Sequence, residues 1–213
     1  MRRNNIITIV AFILAIPLGV ILPSHYFWEN GLIENLEALV LLGASCMAFI
    51  WTKRSEGNLS YFFFACALLF LVAFGRELSW GRVFYPVGMN GEGPTFASIK
   101  EVWFGAYLPW VLGLLILTII GALGKARHLV KRILIHYSKD KLVILYAILF
   151  ILGLTLGETV FERNWVPALD LYHQNYEELA ELIGYWSAYC MIYKIRLNLL
   201  RDTVLDNTVF DEK

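Results

Sequence analysis

The sequence predicts an all-α integral membrane protein: a single domain, residues 1–213, forming a bundle of six transmembrane helices with N- and C-termini cytoplasmic. Three observations lead there. The chain is 58% hydrophobic and 17% charged with a mean hydropathy of +0.59, an apolar share above that of ordinary soluble domains. Six apolar runs approach the roughly 20 residues that a spanning helix needs, at residues 6–23, 32–52, 61–80, 102–123, 142–161 and 176–197. The basic residues are lopsided as well. One side of those spans holds 14 Lys and Arg, the other holds Arg82, Lys100 and Arg163, and Arg76 stands just inside the membrane. By the positive-inside rule the side with 14 faces the cytoplasm, which points to the cell (inner) membrane.

The first span follows Arg2 and Arg3 and contains Pro17, a possible kink. No small-x-small cleavage site follows at Leu22-Pro23-Ser24-His25, so it reads as a retained span rather than a signal peptide. The second begins with Glu34 and Glu37 and continues through Gly43-Ala44-Ser45. The third runs into "RELSWGR", residues 76–82. Asn90-Gly91 and Gly93-Pro94 mark turns in the longest loop, and Ser98 with Glu101 has capping-box spacing before the fourth span, in which Pro109 is a second possible kink. The loop at 124–141 interleaves six basic residues with Leu129, Val130, Ile133, Leu134 and Ile135. It reads either as topology-fixing charge or as a short helix lying on anionic headgroups. Asp140 can cap the fifth span, which carries Gly153-x-x-x-Gly157 directly before Glu158, a spacing that suits close helix packing.

Acidic residues collect at the opposite, non-cytoplasmic ends of the helices. Twelve of the 18 acids belong to that side: Glu29, Glu34, Glu37, Glu77, Glu92, Glu101, Glu158, Glu162, Asp170, Glu177, Glu178 and Glu181. Glu34 with Glu37, Glu158 with Glu162, Glu178 with Glu181, and His173 with Glu177 and Glu181 have the three- or four-residue spacing that shares a helix face. Ionisable groups inside spans usually face the bundle interior and find partners. The expectation is an outward-facing pocket of Glu34, Glu37, Arg76, Glu77, Glu158, Glu162, Glu178 and Glu181, with Arg76 as its one deep cation. Trp28, Trp80, Trp103, Trp110 and Trp165 fall near the same helix ends and read as an interfacial tryptophan belt.

Carboxylates with an imidazole suit an oxygen-preferring divalent cation, with Glu37, Glu77, Glu158, Glu181 and His173 as candidate ligands. A second reading has the crowded carboxylates hold a proton for general-acid or relay work while Arg76 grips an anionic group of an outer-leaflet lipid or substrate. A third is structural, with Arg76 neutralised by Glu34, Glu37 or Glu158 in an accessory subunit without chemistry. Whether the chain is an enzyme, and which residues would be catalytic, stays open. Cys46, Cys66 and Cys190 lack Cys-x-x-Cys spacing and lie in apolar runs, as fillers do. Two Glu-x-x-His motifs and His-Glu-x-x-His are absent, which excludes ferritin-type di-iron and zinc-hydrolase patterns. Zero net charge gives no sign of nucleic acid, so the expected partner is the lipid bilayer. Matched Gly/Pro-broken helices and polar positions in the cytoplasmic halves, as in transporters and channels, are also missing.

Within "RELSWGR", Glu77, Ser79, Trp80, Gly81 and Arg82 resemble the Glu-x-Ser-Trp-Gly-Gln/Arg signature of a loose group of uncharacterised bacterial multi-pass inner-membrane proteins. The resemblance covers about seven residues and implies no activity. "RELSW" and "ETVFER", residues 158–163, are similar to the Glu-Glu-x-x-x-Arg motif of CAAX-type intramembrane proteases. The Phe-x-x-x-His and His-x-x-x-Asn/Asp motifs of that family do not follow, so its protease activity is not implied.

Overall fold

The computed structural model describes residues 2–90, 93–163 and 165–210. Gly91, Glu92 and Lys213, and the side chains of Arg2, Arg3 and Asp170, lie outside the described residues. The chain is mostly helical: α1 (Arg2–Ile21), α2 (Leu32–Lys53), α3 (Gly57–Glu77), a hairpin of β1 (Pro86–Asn90) and β2 (Gly93–Phe96), α4 (Leu108–Lys125), α5 (Arg127–His136), α6 (Lys141–Thr155) and α7 (His173–Phe210). Among the described residues, four helical segments are long and apolar enough to cross a membrane: α2, α3, α4, and α6 continued through the π-turn at Leu156–Phe161. The other two expected spans are helical too but differ in kind. The apolar part of α1, Thr8–Ile21, is shorter. α7 has 38 residues and carries Glu177, Glu178, Glu181, Lys194 and Arg196, so composition alone does not mark it as a span.

The core is built on α2, α3 and α7. α2 and α3 form an antiparallel pair locked by small residues, with Ala44, Ala48, Ala65 and Ala67 buried and the Ser45 hydroxyl donating to the Ala67 carbonyl at 2.9 Å. Gly43, beside this seam, has open space around it, so the expected small-residue contact there is carried by Ala44 and Ser45. α7 packs along α2 on one side and α1 and α6 on the other. A Cβ on Gly153 would fall 2.5 Å from the Ala180 carbonyl oxygen and 2.7 Å from the Gly184 Cα, so α6 and α7 touch backbone to backbone. α1 is held by polar bonds from α7: Asn175 donates to the Gly19 carbonyl at 2.7 Å, Tyr176 to Ile16 at 3.1 Å and Trp186 to Thr8 at 3.0 Å. α4 packs on α3 through Ile119 and Ala122 and turns Leu114 and Leu117 outward, each 68% exposed. Such a face suits lipid rather than water.

Several expected details change. The chain is not wholly α-helical, because the long loop folds into an antiparallel hairpin with Gly88 opposite Thr95 and Asn90 opposite Gly93. Its strands, "PVGMN" and "GPTF", lack the alternation that reveals a strand, although the turn signals between them are plain. Ser98 and Glu101 form half of a capping box, the Ser98 amide donating to Glu101 at 2.8 Å, but turns follow and α4 starts only at Leu108. Pro109 therefore lies in the first turn of α4, where its missing N–H costs nothing. α1 stays one helix through Pro17. Asp140 caps α6 as expected, accepting from the Leu142 amide at 2.9 Å.

Candidate functional site

The motif "RELSWGR" forms the turn that ends α3 and aims its last two residues. Ser79 and Trp80 both have positive φ, 44° and 55°, and Gly81 follows at 87°. Left-handed backbone at two non-glycine residues is a strain of order ~1–3 kcal/mol each, held only when surrounding contacts fix it. Those contacts are visible. The Trp80 ring folds back over Gly75, where a Cβ would meet it at 2.6 Å, and the Ser79 hydroxyl donates to Glu29 at 2.9 Å. Trp80 is thus a clamp on the end of α3 rather than a member of an interfacial belt. Trp28 departs from the belt as well, packing against Gly93 of the hairpin, whereas Trp103, Trp110 and Trp165 are exposed as expected.

With α3 ended in this way, Arg76 and Glu77 meet α2, α7 and the π-turn after α6. Glu77 is buried, and Tyr185 donates its hydroxyl proton to Glu77 Oε1 at 2.7 Å, lying 3.4 Å from Glu181 Oε2. Arg76 bonds Glu77 through Nε at 3.1 Å, Glu181 through Nη2 at 2.6 Å, and Glu158 through Nη1. The π-turn is a wider helical winding often found at functional sites. Here it carries Glu158 to Arg76 and places Gly157 over α7, where a Cβ would lie 2.7 Å from Glu181 Cγ. Gly157 is therefore needed to seat Glu181 itself.

Behind this ion pair lies Glu37 of α2. It is fully buried, and among the described residues no donor reaches either carboxylate oxygen. One oxygen from each of Glu37, Glu77 and Glu181 falls within 4.8 Å of the others. Three carboxylates and the shared guanidinium leave two excess negative charges if all are ionised, and buried excess charge must be met by a cation or by protons. Hard cations such as Mg²⁺, Mn²⁺ and Ca²⁺ bind oxygen donors at about 2.0–2.6 Å, and oxygens within 4.8 Å of one another lie within the span that one such ion bridges.

The remaining expected site residues surround the trio. Glu34 is buried and accepts from the Asn30 amide, a contact that closes the first turn of α2. Glu178 is half-buried and lies electrostatically close to Glu37 and Glu34. Glu158 is half-buried and engaged with Arg76, while Glu162 is exposed at the end of the π-turn. His173 opens α7 beside Glu177 and stands outside the carboxylate trio. The sequence reading did not name Tyr185; its place four residues after Glu181 on the same helix face was the signal. No family model, no curated protein and no solved structure matches this chain.

Proposed function

We propose that this is a six-span cell-membrane protein, with both termini cytoplasmic, whose non-cytoplasmic end holds a divalent cation between Glu37, Glu77 and Glu181. The observation that carries this reading is Glu37, a fully buried carboxylate with both oxygens unpartnered and turned to two others. A buried carboxylate left charged and unpaired costs roughly 3–5 kcal/mol, so Glu37 takes either a proton or a cation; the two further carboxylates that converge on it favour the cation. Arg76 serves as a permanent partial counter-charge. With three carboxylates already on its guanidinium, it is poorly placed to grip a lipid or substrate anion, so the cation reading stands ahead of the anion reading. Its turn carries the residues that resemble the Glu-x-Ser-Trp-Gly-Gln/Arg signature, which would then mark the helix end that presents Arg76 and Glu77. The basic side of the chain supplies the orientation, and a reporter fused at the C-terminus is expected to read out on the cytoplasmic side.

Elemental analysis of the detergent-purified protein tests the site. The native chain is expected to carry, or take up on dialysis against Mn²⁺ or Ca²⁺, one equivalent of metal. Glu37→Gln with Glu181→Gln is expected to carry less than a tenth of that while remaining folded. Equal metal in both proteins, or none in either, would leave the glutamates as an ion-pair and proton cluster of a structural subunit.

A further inference from the structure

The opposite end of the molecule holds a cleft of different character. A cavity of about 490 Å³ opens between the start of α3, the length of α5 and the late turns of α7. Its apolar wall is Leu59, Leu129 and Leu199, and its polar rim is Glu56, His128, Arg132 and Asp202. His128 and Arg132 are four apart on α5 and so share one face. α3 adds to the positive side: its N-cap Glu56 makes no side-chain cap bond, and the first amides of a helix have no partner within it. Glu56 and Asp202 stand on the same rim as two carboxylates, Asp202 already 3.6 Å from Arg132 and bonded by Tyr137 at 2.6 Å.

The level of this cleft is set by the helices around it. Only Ala126 separates α4 from α5, and α6 begins at Lys141, so α5 is confined to the end of the spanning segments. Its flank also exposes Leu134 and Ile135, at 67% and 59%, beside Lys131. An apolar floor at the membrane boundary with a guanidinium beside an imidazole, a bare helix start and a carboxylate pair above it is complementary to an amphiphile that carries both charges. A purely anionic headgroup would satisfy the cations but face two carboxylates; a cation alone would face Arg132 and His128.

We propose that this cleft binds a zwitterionic phospholipid with a primary ammonium, its phosphate on His128, Arg132 and the α3 amides, its ammonium on Glu56 and Asp202, and an acyl chain against the three leucines. The proposal is independent of the cation site. It is tested on the full chain by native mass spectrometry after detergent extraction into micelles doped equally with phosphatidylethanolamine, phosphatidylglycerol and phosphatidylcholine. Phosphatidylethanolamine is expected to be retained at least fivefold over either competitor. Arg132→Gln with His128→Gln should abolish retention, and Glu56→Gln, an exposed position, should erase the preference for ethanolamine over choline with the helical circular-dichroism signal unchanged. Equal retention of all three lipids, preference for phosphatidylglycerol, or a preference untouched by Glu56→Gln would overturn it.

Discussion

Each end of the molecule buries a charged side chain on a helix, and the two are treated in opposite ways. At the basic end, Lys194 of α7 is 8% exposed and its ammonium meets Asp140 at 3.1 Å and Asn198 at 3.1 Å, while Asn198 in turn donates to Asp140 at 2.9 Å. At the carboxylate end, Glu37 of α2 is 0% exposed, and among the described residues no N–H or hydroxyl donates to it. The first is a closed network whose every member supports the packing of α6 on α7. The second is an open one, in which buried carboxylates face one another, and on the proposed reading a cation completes it. The contrast between the two ends lies in the donors each charge has, not in the number of acids.

Breaking the closed network should cost the most. Lys194→Met leaves Asp140 and Asn198 facing a hydrocarbon and is expected to lose about 3 kcal/mol, the scale for removing one partner of a buried pair. In a chain of this size that lowers the unfolding midpoint by about 6–12 °C, measurable by thermal denaturation in detergent. Gly153→Ala comes next. Its Cβ meets backbone atoms of Ala180 and Gly184 that cannot step aside, so α6 and α7 must separate at a cost of about 1–3 kcal/mol. Because the same seam seats Glu181, this variant should also weaken metal uptake, whereas Lys194→Met should leave stoichiometry unchanged in protein that remains folded. Glu37→Gln is the reverse case. With chelator present it should unfold at the same temperature as the native chain or higher, by about 1 kcal/mol, since an unpaired buried charge has been removed.

Titration sharpens the contrast at the basic end, where the groups lie outside the spans. Burial alone would raise the Asp140 carboxyl, but donors from Asn198, Lys194 and the Leu142 amide outweigh it and hold it below its ordinary value of 3.8. Its contribution is therefore present above that value and lost as pH falls through the lowered one. Burial first, and then the bond to Asp202, push the Tyr137 hydroxyl up from 10.0 to about 12. The neutral phenol is the form the fold prefers, so this contribution is complete below pH 10 and disappears as pH rises to about 12. Tyr137→Phe is expected to cost about 1 kcal/mol at neutral pH, the usual net worth of a hydrogen bond. Its unfolding midpoint should converge with that of the native chain between pH 10 and 12.

Much of this architecture was legible from composition and period. Apolar runs located α2, α3 and α6 to within a few residues, and Asp140 announced the start of α6 because a carboxylate at that position accepts from an otherwise unpaired first-turn amide. The sequence reading placed the acids at one end and Glu37, Glu77 and Glu181 among the candidates. It could not single out Glu37, because that depends on contacts between distant helices that no spacing rule encodes: Arg76 reaches Glu158 and Glu181, Tyr185 reaches Glu77, and Glu37 lies beside them with no donor among the described residues. The clamp of Trp80 over Gly75 was hidden for a similar reason, since three successive left-handed residues run against local preference and exist only because Glu29 and the α3 surface hold them. The hairpin escaped because proline and glycine interrupt both strands. α7 was underestimated in length because its polar later turns fit no membrane template, although they continue the same helix.

If a cation is the partner of Glu37, it must show in the unfolding midpoint of native protein and Glu37→Gln, each with chelator and with saturating Mn²⁺ or Ca²⁺. A ligand that binds only the folded state adds about 2.7 kcal/mol at a hundredfold excess over its dissociation constant. The native chain should therefore gain at least 5 °C, or about 2–4 °C per kcal/mol, while Glu37→Gln gains none. A native midpoint indifferent to both metals, or an equal gain in the variant, would contradict the account.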